Sequence, residues 1–278
     1  TATTSIRSVA VGMNALRLTT TGSSNTAIGY NSLASNTTGA ENTAVGIYSL
    51  TNCTTGPDNN AFGYSSQDAL TTGGYNSAYG NQTLADNVEG SSNMAFGEHA
   101  LNSTLSSGNM GIGRNAATSN TTGVRNIAIG HEAYEYSDTE NDNMAIGYHA
   151  MNVNTAGGTK NLAIGNYASD NTTSADNNVA IGYNAGTATT TGGANTFVGV
   201  YAGEGHTEGT DNTLIGYSSG HHGVSLTTAN QITILGAKCH PDAVDAAKQI
   251  VLGYNVTGSG NNTLTFGDAG TDSAIAFG

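Results

Sequence analysis

Small, large apolar and glycine positions recur along this chain at a fixed spacing. A segment of the form Asn-x-Ala-Ile-Gly returns with its glycine at Gly12, Gly29, Gly46, Gly63, Gly80, Gly97, Gly113, Gly130, Gly147, Gly165, Gly182, Gly199 and Gly216. Of the twelve intervals, ten are 17 residues, one is 16 and one is 18. Compositional bias does not keep such a register, so the chain is a repeat array. Four residues before each glycine stands Asn, from Asn25 through Asn126 to Asn212, with Ser8 in the first copy. Two before it is Ala, except for Gly111, Phe197 and Leu214. One before it is always large and apolar, as at Ile28, Ile129, Ile146 and Ile181. Four after it Leu is frequent (Leu16, Leu33, Leu50, Leu84, Leu101), weakening toward Gly186, Gly203 and Gly220. Thr, Asn, Ser and Gly fill the rest, as suits turns and loops.

Each column predicts a role. The large apolar column that includes Ile28, Ile129, Ile146 and Ile181 is assigned to the core. Gly29, Gly46, Gly63, Gly130, Gly147 and Gly182 are assigned to a turn conformation closed to other residues. Asn25, Asn126 and their equivalents are expected to hydrogen-bond from coil to coil, as in stacked β arrays. An Ala column held small implies close approach of another backbone. The unit therefore reads as a short strand, a tight glycine turn, a second short strand and a polar return loop. Seventeen residues are too few for a strand–helix–strand crossover, which takes about 30. They suit one coil of a parallel β-solenoid, with equivalent residues stacked about 4.8 Å apart. One coil buries few large side chains, so neighbouring coils must share a core.

Thirteen such coils are predicted over residues 8–220, about 60 Å of stack on that spacing, after a leading segment 1–7. Residues 221–278 are read as irregular, shorter coils, because the glycines at Gly236, Gly253, Gly267 and Gly278 follow at 20, 17, 14 and 11 residues. Pro241–Lys248 is the one helix-like stretch, with Pro at a plausible first helical position. Beginning without Met at Thr1 and ending inside a repeat unit at Gly278, the sequence is expected to be a processed or excised piece.

The SVAVG of Ser8–Gly12 and the NTAIG-type copies resemble the YadA-like head repeat of trimeric autotransporter adhesins, which also occurs in bacteriophage tail fibres. The GYNSLxxNTTG form and the ITILG and IVLG segments look more like the phage versions. The resemblance spans Ser8–Gly220 closely and the remainder loosely. It implies a left-handed parallel β-roll, a homotrimer, and attachment to a host or matrix molecule outside the cell. The repeat is longer than the family's usual unit, and no coiled-coil heptads follow it.

Composition narrows the function further. Charged residues are only 10% and the formal net charge is −13, with Lys plus Arg 7 against Asp plus Glu 20. Phosphate backbones and anionic membranes require basic patches, so neither nucleic acid nor membrane insertion is expected; no apolar run approaches the roughly 18 residues of a membrane span. No nucleophile elbow, P-loop, HExxH or dinucleotide fingerprint occurs, and the chain is read as non-enzymatic. Cys53 and Cys239 lie about eleven coils apart, some 50 Å on the coil spacing, far beyond the ~7 Å reach of a disulfide; both are expected to be free thiols.

Candidate sites are few. Asp138, Glu140 and Asp142 alternate in the densest acidic stretch and suit a hard cation such as Ca²⁺, but the spacing of known Ca²⁺ loops is missing and a solvated return loop is the default; no cofactor is otherwise implied. Tyr30, Tyr64, Tyr148, Tyr183 and Tyr217 directly follow their glycines, a stripe suited to packing or to sugars. Tyr148, His149, His221 and His222 are the weak ligand-binding candidates. Departures from the repeat concentrate at Glu132–Asn143 and Gly203–His222, which favours a binder, with a cell-surface glycan or protein as its receptor. A structural shaft is the alternative. An ice-binding solenoid is a remote one, because the Thr pairs skip coils.

Overall fold

The computed structural model describes residues 7–154, 157–221, 226–268 and 273–276. They form a parallel β-solenoid in two compact units, Thr1–Thr139 and Glu140–Gly278. In the first unit the strands are β1 Val9–Val11, β2 Thr26–Ile28, β3 Thr43–Val45, β4 Asn60–Phe62, β5 Ser77–Tyr79, β6 Met94–Phe96, β7 Met110–Ile112 and β8 Ile127–Ile129. Each pairs in parallel with the next, Ala on Ala as in Ala27 on Ala44 on Ala61, except at β7, where Gly111 stands in the Ala position. The second unit holds β9 Met144–Ile146, β10 Leu162–Ile164, β11 Val179–Ile181, β12 Thr196–Val198, β13 Thr213–Ile215, β14 Thr233–Leu235, β15 Gln249–Tyr254, β16 Thr263–Asp268 and β17 Ser273–Ala276. Here the parallel pairing runs from β9 to β16. The last strand breaks the expected series of shrinking coils: β17 lies antiparallel to β16.

Among the described residues each coil has a single strand. The expected second strand is replaced by a curved segment in which the residues two and four after each glycine from Gly12 to Gly216 have positive φ, as at Asn31 (56°), Leu33 (48°), Tyr48 (60°) and Leu50 (50°). Left-handed residues at every second position bend the chain out of the extended form. The amides still point along the stack: Tyr48 donates to the Tyr30 carbonyl at 3.0 Å and Leu50 to that of Ser66 at 3.0 Å. Residues 241–248 contain no helix either; they form bends and a turn, and Ala247 makes a parallel bridge to Asn230.

The glycine column has two causes. Gly147 has φ +137°, and a Cβ there would meet the Gly165 carbonyl oxygen at 2.5 Å and its carbon at 2.6 Å. A second glycine column, Gly22, Gly39, Gly56, Gly73 and Gly90, is packed against the carbonyls of the next coil in the same way. The Asn column ties the coils at two points. The Asn42 amide N–H donates to Asn25 Oδ1 at 2.9 Å, while Asn25 Nδ2 donates to the Gly39 carbonyl at 2.8 Å. Ser8 fills the same office in the first coil, its Oγ accepting from the Asn25 N–H at 3.1 Å.

The core assignment needs correction. The Ala two before the glycine points inward and is fully buried, as at Ala27, Ala44, Ala145 and Ala180. The large apolar residue after it points out: Ile28 is 40% exposed, and Ile129, Ile146 and Ile181 are partly exposed. Successive strand residues alternate faces, so Ala and Ile in one three-residue strand cannot both face inward. What faces the Ala across the coil is the Leu column, with Leu33, Leu50, Leu84 and Leu101 fully buried. Ala27, Leu33, Ala44, Leu50, Cys53, Ala61 and Leu70 form one packed cluster.

Residue size trades between the two walls of the core. Phe197 and Leu214 replace Ala where Gly203 and Gly220 replace Leu in the same coils. A Cβ on Gly203 would meet the Phe197 ring at 2.5 Å, and one on Gly220 would meet Leu214 Cδ1 at 2.7 Å. Gly203→Leu alone should therefore cost about 1–3 kcal/mol through overpacking, and Phe197→Ala alone about 3–5 kcal/mol through a cavity. The double variant should be more stable than either single one in urea melts, because it recreates the Ala27–Leu33 pairing. Additive losses would show that the two walls do not exchange volume.

Candidate functional site

The second unit carries a row of tyrosines along one edge. Tyr148, Tyr167, Tyr183, Tyr201 and Tyr217 meet edge to face, with centroid separations of 5.3, 6.0, 5.5 and 6.1 Å. Tyr148, Tyr183 and Tyr217 follow their glycines directly, whereas Tyr167 and Tyr201 come one residue later. Both positions reach the same edge because the later residue is left-handed, with φ 60° at Tyr167 and at Tyr201. This breaks the face alternation of an extended strand. The sequence reading found only the first set; the alternation GYHA, GNYA, GYNA, GVYA was the signal for the rest. The first unit holds a shorter row, Tyr30, Tyr48 and Tyr64, at 5.4 and 6.1 Å.

Polar groups flank the longer row. Tyr167, Tyr183, Asn184 and Thr187 line a shallow open groove of about 270 Å³. The Thr187 hydroxyl donates to the Tyr167 carbonyl at 2.9 Å. Asn184 Nδ2 donates to Glu204 Oε1 at 3.2 Å, and His221 Nε2 lies 3.0 Å from Glu204 Oε2. At the other end His149 packs on Tyr148 and Tyr167 at 4.3 and 5.6 Å between centroids. Burial raises the Asp170 carboxyl above its usual range, and the charge of His149 pulls it partly back. Tyr148, His149 and His221 thus adjoin one row and its polar flank; His222 lies outside the described residues.

The acidic candidates are not brought together as a cation site. Asp138, in the first unit, is exposed and accepts from the Thr121 hydroxyl, while its carbonyl accepts from the Thr121 and Thr122 amides. Glu140, in the second unit, is buried and accepts from the Gly157 amide at 3.1 Å. Asp142 holds a left-handed turn, φ 61°. Among the described residues no cluster of three or more His, Cys, Asp or Glu could hold a metal ion. Cys53 and Cys239 are buried thiols outside any disulfide. Burial pushes the Cys53 thiol up to about 11, with a weak opposing hydrogen bond to Gly56, so it is a packing residue and not a nucleophile.

One buried titratable group stands apart. His206 is fully buried beside Phe197, at 5.0 Å between centroids, and its Nε2 accepts from Asn212 Nδ2 at 3.0 Å. Protonating Nε2 would set a donor against a donor. Burial lowers its pKa from 6.5 to about 4. The chain matches no protein-family model, no curated protein and no solved structure.

The His206 shift sets a pH dependence of stability. The unfolded chain takes up this proton near its ordinary value and the folded chain only near 4, so stability is complete above about pH 6.5 and falls between there and pH 4. The loss should reach about 3 kcal/mol. Urea melts of the wild type and of His206→Asn, a residue found in the same column at Asn36 and Asn87, should diverge over that window. Parallel pH curves would remove His206 as the cause.

Proposed function

We propose that this is a non-enzymatic, extracellular adhesin of the tail-fibre or cell-surface type, acting as a homotrimer that attaches to a glycan or protein receptor. The observation that carries the reading is the outward apolar column. Val11 is 56% exposed, Phe96 38% and Ile215 39%, and the equivalent residue of other coils, as at Phe62, Ile129 and Ile181, is partly exposed. In the first unit Phe62, Tyr79 and Phe96 stack nearly parallel, at 4.7 and 4.4 Å between centroids. Contiguous apolar surface of this kind marks association sites, and within each unit it repeats from coil to coil, so a second copy in register would be met along that unit. Homotrimeric assembly would cover the column and leave the polar edges and loops outward. Three copies would then multiply weak contacts into useful avidity.

A structural shaft is the second reading, favoured by the near-unbroken register of β1–β8. It shares the assembly but needs no receptor. The acidic balance, −13, suits neutral or basic ligands in either case.

Light scattering tests the assembly. The expected mass is three times 28.0 kDa. Because Ile146 is on the outer column, Ile146→Asp combined with Ile181→Asp should keep the β circular dichroism spectrum and lower the mass to one chain. A wild-type mass of one chain would overturn the proposal.

A further inference from the structure

We propose that the tyrosine row of the second unit binds a neutral, extended β-linked glycan chain, lying along Tyr148, Tyr183 and Tyr217 with its hydroxyls on the polar flank of Asn184, Thr187 and Glu204. This names the receptor class within the attachment reading and rests on it.

The row is not required by the fold. In the coils of β5–β8 the two positions after the glycine are Asn81 and Gln82, Glu98 and His99, Arg114 and Asn115, His131 and Glu132. Those coils keep the same strand length and register as their neighbours. Five consecutive coils with a ring at one edge are therefore an addition to the scaffold. The outermost rings, Tyr148, Tyr183 and Tyr217, are 38%, 42% and 50% exposed. They recur every second coil, about 9.6 Å apart at the parallel-strand spacing, comparable with one disaccharide step of an extended β-linked chain. Each intervening ring packs edge-on and holds its neighbours in place.

The chemistry of the flank fits sugar hydroxyls. Pyranose C–H faces stack on aromatic rings, while an amide, a hydroxyl and a carboxylate supply both donors and acceptors. Asn184 donates a hydrogen bond of 3.2 Å to Glu204, and the His221 ring nitrogen lies 3.0 Å from the other carboxylate oxygen of Glu204, so the polar edge is ordered before a ligand arrives. Glu204, Asp170 and the overall acidity oppose sulfated or sialylated chains. The row is also distinct from the apolar column: it occupies the positions after the glycine and carries polar neighbours, where the column precedes the glycine and is aliphatic or aromatic throughout.

The test uses the full chain on an array of neutral β-linked hexasaccharides (cellohexaose, chitohexaose, laminarihexaose), sialylated and sulfated glycans, and matrix proteins. Positives are titrated by tyrosine fluorescence, which is clean because the chain has no Trp. The wild type should bind at least one neutral hexasaccharide. Tyr183→Ala with Tyr201→Ala should weaken that at least tenfold, Tyr183→Phe should retain it, and Tyr48→Ala in the first unit should leave it unchanged. Circular dichroism and melting confirm that each variant is folded. Binding confined to anionic glycans or to protein, or undiminished by the Ala variants, would overturn the site and leave attachment standing. An array with no ligand at all would overturn both.

Discussion

A glycine α-carbon resting against the backbone of the glycine one coil further on is the contact from which the rest follows. A Cβ there would sit at 2.5–2.6 Å from the Gly165 carbonyl when placed on Gly147. The same φ, between 122° and 140°, recurs from Gly12 to Gly216. This glycine column limits how closely successive coils lie; the second column is interrupted by Ser106, Glu140, Ala175 and Ala229. Once that spacing is set, every strand amide meets a carbonyl in register, and Asn side chains of fixed length can reach the next coil at two points. The Asn column without the glycines would be too far from its acceptors; the glycines without Asn would leave buried backbone groups unpaired, at a cost of about 1–3 kcal/mol each.

The close spacing has a sideways consequence. A coil of seventeen residues encloses a core only two side chains thick. Leu50 reaching in from the curved segment leaves room for nothing larger than Ala opposite. The bulky residues of the strand are then turned outward, and a water-exposed apolar column is inherent in the pattern. Where the curved segment loses its Leu, as at Gly203, Phe197 returns the volume from the strand side. Phe197 and Gly203 thus exchange volume within one coil, and the second unit carries two separate surface rows, an apolar column and a tyrosine row with a polar flank.

The period, the parallel stack, the glycine turn of the Gly29–Gly46 column and the Asn ties were legible in the sequence because each demands one residue type at one spacing. Which side of the strand faces inward was not. Size ordinarily marks the interior, and Ile146 beside Ala145 invites that reading; only the opposing Leu column, which fills the space, reverses it. The paired exceptions Phe197 with Gly203 and Leu214 with Gly220 recorded that opposition in the sequence. The second strand was misjudged for a related reason: left-handed φ at Asn31, Gln82 and Glu132 is tolerated by many polar residues and leaves little compositional trace. The tyrosine row was half visible, since Tyr183 holds the column position and Tyr201 is shifted by one. A ring at either position reaches the same edge only because the backbone turns left-handed between them.

The melting temperature of Gly147→Ala, set beside that of Gly108→Ala, bears most directly on the stacking constraint. Both glycines have positive φ, +137° and +75°, but a Cβ on Gly108 would meet nothing within 4 Å. Gly108 has the left-handed φ that Ser24 and Glu41 bear at the equivalent position, 58° and 63°, whereas φ +137° at Gly147 lies outside that region, so an alanine at Gly147 meets a closed backbone as well as closed space. Gly147→Ala should be less stable than Gly108→Ala by about 1–3 kcal/mol, the range for forcing an atom into closed space. Equal losses would contradict the constraint, because neither the closed space nor the closed backbone at Gly147 would then matter to the stack.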